Sequence, residues 1–177
     1  FVVSTYAFMA GKPEKLLTYD IVPDLAIWDA DAIAKENKIE FGFVERDTTT
    51  VEIEPTELLF IDTLHCYKQL KTELALHSDK VSKYIILHDT ETFGRIDEFT
   101  GEAGGLMTAL EEFLATNKSW RLKEHFANCN GLTVIERVKN VKYTVVIPTY
   151  NHCDDLLKPC IESIQRYSDM SEVEIIV

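Results

Sequence analysis

The sequence predicts an α/β protein with a mostly parallel sheet, helices on both of its faces and a terminal antiparallel hairpin. Four short apolar segments alternate with segments whose apolar residues recur at helical spacing, as in a parallel sheet covered by crossover helices. Later in the chain, Asn130-Gly131 separates two further apolar segments, and Asn-Gly in that position indicates a hairpin turn. Together these patterns are typical of a Rossmann-like sheet that ends in antiparallel strands.

The individual elements follow from periodicity and from helix stop signals. The first helix is predicted to end at Gly11, because glycine followed by Pro13 is a frequent helix terminus. The predicted helices are 3–10, 27–38, 66–77, 105–115 and 154–167. The predicted strands are 15–21, 39–44, 57–61, 83–87, 120–126, 132–137, 141–147 and 173–177.

Composition excludes several classes of protein. The formal charge of −12 argues against nucleic acid as a partner, because an acidic chain repels the phosphate backbone. No apolar segment approaches the roughly 20 residues that span a bilayer, and the apolar residues 1–12 lack the basic leader of a signal peptide. None of the four cysteines forms a Cys-x-x-Cys motif, so we expect free thiols in a reducing cytoplasm.

Polar residues follow four of the predicted strands. They are Asp20, Asp47, Asp62 and the pair His88-Asp89. Ligands of such sheets bind beyond the carboxyl ends of the strands, so we expect these side chains to lie on one edge of a single sheet. A carboxylate such as Asp20 could accept hydrogen bonds from ribose hydroxyls, or it could be a solvated turn residue before proline.

Two carboxylates and two imidazoles form the most specific group. Asp62, His65, His88 and Asp89 follow strands that we expect to be neighbours, so they could bind a divalent metal or deprotonate a hydroxyl. Asp62 and Asp89 supply the oxygen ligands that Mg²⁺ prefers. The alternatives are that Asp62 caps the next helix and that His65 is a surface histidine. The polar, glycine-containing segment 90–104 is a long loop of the kind that often covers a substrate.

Several of these segments resemble class I S-adenosylmethionine-dependent methyltransferases, near the cephalosporin hydroxylase-like branch. Residues 3–8 and 15–21 resemble the first helix and second strand of that family. Residues 59–67 resemble its Asp-x-x-His-x-Tyr motif, and residues 85–90 its His-Asp motif. With a hairpin resemblance at 130–136, the partial methyltransferase-like domain extends over residues 1–138.

The resemblance implies roles for the strand-end residues. Asp20 would hold the cofactor ribose and Asp47 would lie near the adenine. Asp62 and Asp89 would be catalytic or would bind Mg²⁺ or Mn²⁺, with His65 and His88 beside them. The family's first strand and glycine-rich loop are not part of this sequence, so we expect this chain to bind S-adenosylmethionine poorly or not at all. His88 also departs from the acidic or amide residue that precedes the final Asp in related enzymes.

Residues 139–177 resemble the N-terminal fragment of a family 2 glycosyltransferase domain. The resemblance rests on residues 143–151 and 156–164, the opening strand and helix of that family. It implies that Pro148, Thr149, Tyr150 and Asn151 border the base of a nucleotide sugar. The family's metal-binding Asp-x-Asp and catalytic base are absent. Alternatively, 143–147 simply extends the preceding sheet.

The leading hypothesis is a methyltransferase domain, joined to a glycosyltransferase, that O-methylates a sugar or another small hydroxyl acceptor in glycan biosynthesis. The alternatives are a catalytically inactive Rossmann-like scaffold or interaction module of a glycosyltransferase, and a glycosyltransferase whose upstream part is only structural. A parallel sheet without its central strand would leave unpaired edges. We therefore expect a tail strand, at 143–147 or 173–177, to complete the sheet, from the same chain or from the partner in a homodimer.

Overall fold

The structure is a computed structural model that describes residues 2–138, 142–149, 153–168, 170 and 172–177. It confirms the α/β fold class, and each predicted helix and strand is present. The helices are α1 Val2–Ala10, α2 Ile27–Glu36, α3 Tyr67–His77, α4 Leu106–Thr116 and α5 Lys158–Tyr167, the last preceded by a π-helical turn, Cys153–Leu157. The strands are β1 Lys15–Asp20, β2 Glu40–Glu45, β3 Thr56–Ile61, β4 Val81–His88, β5 Trp120–Phe126, β6 Leu132–Arg137, β7 Tyr143–Val146 and β8 Val173–Ile176.

The strands form three sheets rather than one. β1 pairs with β2 in parallel, and a separate four-stranded sheet has the order β3-β4-β6-β5. In that sheet β3 and β4 are parallel, whereas β4, β6 and β5 are antiparallel, as expected for the terminal hairpin. The expectation of one sheet edge carrying all four strand ends is therefore wrong. Asp62 and Asp89 follow strands of one sheet, whereas Asp20 ends β1 and Asp47 follows β2 in another.

The strands form separate sheets because no backbone hydrogen bonds join β1 to β3. β1 and β3 do not pair with each other, and within the described chain each has a single ladder partner. The elements around the two sheets are nevertheless in contact. Lys15 Nζ of β1 lies 2.7 Å from Oε2 of Glu54, which precedes β3, and the rings of Phe8 in α1 and Phe60 in β3 are 5.3 Å apart. A further strand between β1 and β3 would be needed to join them into the predicted sheet.

The core is divided in the same way as the sheets. The larger cluster packs α3 and α4 against the four-stranded sheet, with Leu70, Leu74, Ile85, Leu110 and Ile135 at most 2% exposed. A smaller cluster packs α1 and α2 near β1 and β2, and its buried members are Met9, Ala30, Ala34 and Ile39. The candidate catalytic residues belong to the larger body, because they follow β3 and β4.

The hairpin turn is one residue earlier than the Asn-Gly signal implies. Cys129 and Asn130 have left-handed φ angles of 51° and 65°, and Gly131 N donates to Asn128 O. Gly131 has a φ of 98°, and a Cβ on it would also lie 2.2 Å from the backbone nitrogen of Glu91. The hairpin turn is thus packed against the segment that follows β4.

The tail strands pair with each other. β7 and β8 form a parallel two-stranded sheet, connected through α5. The expectation that a tail strand completes the main sheet within the same chain is therefore wrong, because these strands satisfy each other's backbone groups. Completion through a second copy stays a prediction. Among the described residues, no helix combines the length and apolar character needed to cross a membrane.

Candidate functional site

The sheet register brings the two acidic motifs together. Ile61 at the end of β3 pairs with Leu87 near the end of β4, so Asp62 and the pair His88-Asp89 emerge side by side. His88 Nδ1 lies 3.4 Å from Asp62 Oδ1 and 3.3 Å from Asp89 Oδ2. The part of the site formed by these two strand ends was predicted from their parallel pairing.

His65 lies between three carboxylates. Its Nε2 is 2.9 Å from Asp89 Oδ2 and 3.4 Å from Asp62 Oδ1, and its Nδ1 is 2.8 Å from Glu98 Oε2. The ring stacks on Phe93 with an interplanar angle of 5°. Both ring nitrogens therefore face acceptors, and the orientation of the imidazole is fixed. His65 is part of the group, not an isolated surface histidine.

This arrangement shifts the pKa of both partners toward the charged form. The hydrogen bond with Asp62 raises the pKa of His65 above 6.5, and Glu98 and Asp89 act in the same direction against the opposing effect of burial. The hydrogen bond with His65 lowers the pKa of Asp62 below 3.8, again against burial. The carboxylates around His65 therefore favour its imidazolium form over the neutral ring.

Glu98 belongs to the long loop between β4 and α4, and the sequence did not single it out. Asp97 anchors this loop, because it accepts hydrogen bonds from the backbone nitrogens of Tyr67, Phe99 and Thr100. Glu98 N also donates to His65 O at 3.1 Å. The loop 90–104 thus lies against the site, and a role for it as a substrate lid stays a prediction. An acid in a polar loop gives no signal of its own in the sequence.

Two polar atoms of the cluster are buried without a hydrogen-bond partner. They are His88 Nδ1 and Asp89 Oδ1. One ligand atom from each of Asp62, His88 and Asp89 lies within 4.8 Å of the other two, a spacing that suits one metal ion. This set mixes carboxylate oxygens with an imidazole nitrogen, which fits Mn²⁺ better than Mg²⁺. The residues therefore fit a divalent ion by geometry and by donor type.

Asp89 adopts an uncommon backbone conformation. Its φ of 56° is left-handed, and the residue is only 8% exposed. Left-handed backbone is unfavourable for residues with a Cβ, although Asp tolerates it better than most. The neighbouring cavity has a volume of about 10 Å³, room for about one water molecule. The cavity as it stands is therefore too small to hold an acceptor.

The structure places the two predicted cofactor residues elsewhere. Asp20 Oδ1 accepts a hydrogen bond from Val22 N, and Asp20 O accepts one from Arg46 N. Asp47 Oδ1 accepts hydrogen bonds from the backbone nitrogen and the hydroxyl of Thr49, and the hydroxyl bond is the main cause of its lowered pKa. Both carboxylates thus stabilise local turns at the ends of β1 and β2, a structural role that leaves their cofactor role a proposal.

The predicted nucleotide-sugar residues are only partly described. Pro148 and Thr149 are exposed and follow β7, whereas Tyr150 and Asn151 lie outside the described residues. Of the cysteines, Cys66, Cys129 and Cys160 are free thiols, as expected.

A buried polar group behind the site was also missed by sequence reasoning. Glu73 of α3 is 1% exposed and accepts hydrogen bonds from Thr63, Thr48 and Gln69. Burial raises its pKa, and these three donors oppose the shift. Thr63 follows Asp62 and Thr48 follows Asp47, so Glu73 joins the loops after β2 and β3. A buried acid in a helix gives a sequence signal only if its partners are known.

Comparison with known proteins bears on the fold. No family model and no curated protein matches the sequence. Among solved structures, the chain is similar to a protein from Corynebacterium glutamicum, with a TM-score of 0.54 and 16% identity over 73% of this chain. This chain spans 63% of the length of that protein. N-methyltransferase NodS from Bradyrhizobium japonicum WM9 has a TM-score of 0.43 and 11% identity, over 70% of this chain and 73% of NodS. The similarity to the Corynebacterium protein supports the Rossmann-like α/β fold.

Proposed function

We propose that this chain is the methyltransferase-like part of an S-adenosylmethionine-dependent enzyme that O-methylates a sugar or another small hydroxyl acceptor in glycan biosynthesis. The observation that carries the proposal is the group formed by Asp62, His65 and Asp89 at the carboxyl ends of two parallel strands. Ligands of Rossmann-like sheets bind beyond those ends. Methyl transfer to a hydroxyl needs a group that removes a proton, and carboxylates and imidazoles are such groups.

Asp89 is the best placed residue to accept the proton. Its Oδ1 is buried and unpartnered, whereas Oδ2 is held by His65 at 2.9 Å. Once a movement of the site uncovers this buried atom, an acceptor hydroxyl could donate to Oδ1 without displacing an existing hydrogen bond. The His65 imidazolium would balance the charge of the carboxylates before the proton moves. When bound, the cofactor supplies an electrophilic methyl group.

An overlapping set of residues would hold a divalent ion. Asp62, His88 and Asp89 would be its ligands, and the ion would lower the pKa of an acceptor hydroxyl. Mn²⁺ suits the mixed donor set, and Mg²⁺ the carboxylates. The carboxylates of Asp20 and Asp47 would hold the ribose and lie near the adenine, in keeping with their positions at adjacent strand ends.

The tail is proposed as the N-terminal fragment of a glycosyltransferase-like domain. Its β7-α5-β8 unit is parallel with a crossover helix, which is the arrangement of nucleotide-binding α/β domains. Pro148 and Thr149, after β7, would border the base of a nucleotide sugar. Titration with uridine diphosphate tests this, because binding should shift the amide resonance of Thr149. An unchanged spectrum at millimolar nucleotide would contradict it.

Calorimetry with S-adenosylhomocysteine tests the cofactor part of the proposal. The titration is made on this chain and on a version extended at its amino end. We expect binding to the extended version, with little or none to this chain. Transfer of a labelled methyl group to neutral hydroxyl acceptors then tests the reaction, with Glu57→Gln as a control at the opposite end of β3. Absence of both binding and transfer in the extended version would refute the proposal.

A further inference from the structure

We propose that Thr133 is a positioning residue that holds Asp89 in its left-handed conformation through a buried chain of hydroxyl groups. The importance of Asp89 for catalysis rests on the proposed function. The positioning itself is a statement about the backbone and can be tested without any activity. The hydroxyl of Thr133 contacts Thr90, which follows Asp89, and His125 on the edge strand β5.

The conformation of Asp89 needs an external constraint. A left-handed residue with a Cβ persists where the surrounding structure determines it. At Asp89 that conformation aims the side chain at His65 Nε2, 2.9 Å away. Phe93 N donates to Asp89 O at 3.0 Å, and this hydrogen bond closes the turn formed by residues 89–93. Rotation of this backbone would carry the carboxylate away from the site.

Thr133 supplies one attachment. It lies opposite Leu87 in the β4–β6 pairing and opposite His125 in the β5–β6 pairing, so the three residues form a row across the sheet. The hydroxyl of Thr133 donates to Thr90 Oγ1 at 2.8 Å, and His125 Nδ1 lies 2.8 Å from Oγ1 of Thr133. Thr133 is 0% exposed and Thr90 is 2% exposed. A hydroxyl at such depth is constrained to its partners, because an unpaired one is costly.

The hairpin supplies a second, separate attachment. Asn130 O accepts hydrogen bonds from Glu91 N and Thr92 N, and His125 Nε2 lies 2.7 Å from Glu91 Oε1. The segment after Asp89 is therefore held through both its backbone and its side chains. With residues 90–92 fixed on the hairpin, the remaining freedom of Asp89 is small.

A nucleophilic role for Thr133 does not fit. The order Thr133, His125 and Glu91 has the form of a nucleophile, a base and an orienting carboxylate. However, Thr133 has no exposed surface and its hydroxyl proton is directed to Thr90. A substrate could not reach it. The chain of side chains acts on the backbone next to Asp89 instead.

The test compares Thr133→Val with Thr133→Ser. Valine has the same shape without the hydroxyl, whereas serine keeps it. Backbone chemical shifts of Asp89, measured by NMR on the whole chain, report its φ angle. We expect Thr133→Val to move or broaden these resonances and Thr133→Ser to restore them. Asp89 resonances in Thr133→Val that coincide with those of the unmodified chain would overturn the proposal.

A second variant covers the case in which Thr133→Val does not fold. His125→Ala removes a partly exposed side chain from the edge strand, and we expect the same resonances to move less but in the same direction. No movement in that variant would also overturn the proposal. In an active preparation, Thr133→Val should lower kcat about 10-fold or more, with KM for the cofactor little changed. An inactive unmodified chain would contradict the proposed function alone, because the NMR comparison still decides the positioning.

Discussion

Nε2 of His65 lies 2.9 Å from Oδ2 of Asp89, which joins the turn after β3 to the end of β4. The contact links two parallel neighbours whose connection is a whole helix. The His65 imidazole, which can carry a positive charge, contacts the same carboxylate that a metal ion or an acceptor hydroxyl would contact. The stability and the chemistry of the site therefore depend on the same atoms.

The first prediction concerns stability and pH. The pKa of His65 is raised above 6.5 in the folded chain, chiefly by Asp62, so its stabilising effect is complete below pH 6.5 and is lost as the pH rises through the folded pKa. The pKa of Asp62 is lowered below 3.8, so its contribution is present above pH 3.8 and is lost as the pH falls through the folded pKa. The free energy of unfolding in urea should therefore decline from pH 6 to pH 9.

His65→Gln is the matched variant, because glutamine can form hydrogen bonds but does not titrate. The decline between pH 6 and pH 9 should be smaller in this variant than in the unmodified chain. An equal decline in both proteins would show that other groups cause it.

The second prediction concerns catalysis. Asp62→Asn should lower methyl transfer by an extended version about 100-fold or more while the fold stays intact, because a carboxylate in the site matters more to chemistry than to packing. Initial rates with labelled cofactor measure the effect. Glu57→Gln is the control, since Glu57 pairs with Lys83 away from the site. Unchanged turnover in Asp62→Asn would remove Asp62 from the catalytic residues.

The sequence was sufficient to predict the helices and strands and to predict that Asp62 and Asp89 lie together. Periodicity located β3 and β4, and the adjacency of parallel strands then brought Asp62 and Asp89 together. The sequence could not predict that Glu98 lies in the site. The path of a long loop depends on tertiary contacts, such as the hydrogen bond from Tyr67 N to Asp97. Nor could the sequence show that β1 and β3 fail to pair, since strand patterns contain no information on which neighbour is present.

The third prediction concerns metal binding. Asp62, His88 and Asp89 should bind Mn²⁺ weakly, because the ion would satisfy Asp89 Oδ1 and His88 Nδ1, two buried atoms that form no hydrogen bond. Millimolar Mn²⁺ should raise the melting temperature at constant ionic strength, with a smaller effect of Mg²⁺. Asp89→Asn should abolish the rise. A rise of the same size in Asp89→Asn would assign the effect to another site.

The fourth prediction concerns Glu73. Glu73→Ala should destabilise the chain by about 2–4 kcal/mol, because it leaves three half-buried donors unpaired and creates a cavity. The lost partners are Thr48, Thr63 and Gln69. Glu112→Ala is a suitable control, since this exposed acid pairs with Lys71 on the surface and its removal should cost much less than the loss of Glu73. Urea unfolding measures both, and equal effects would contradict the role of Glu73.

The last prediction concerns the tail. Because β7 and β8 pair with each other, a chain that ends at Val138 should fold without them. Its final ladder contacts stay intact, since Val138 N donates to Ser119 O and Trp120 pairs with Arg137. Trp120 is 3% exposed, so its fluorescence reports whether the larger core forms. We expect a cooperative melting transition close to that of the whole chain. Loss of that transition would show that the tail stabilises the main body and would contradict this prediction. The unpaired edges of β1 and β3 remain in either chain, so aggregation that is equal in both would not bear on the tail.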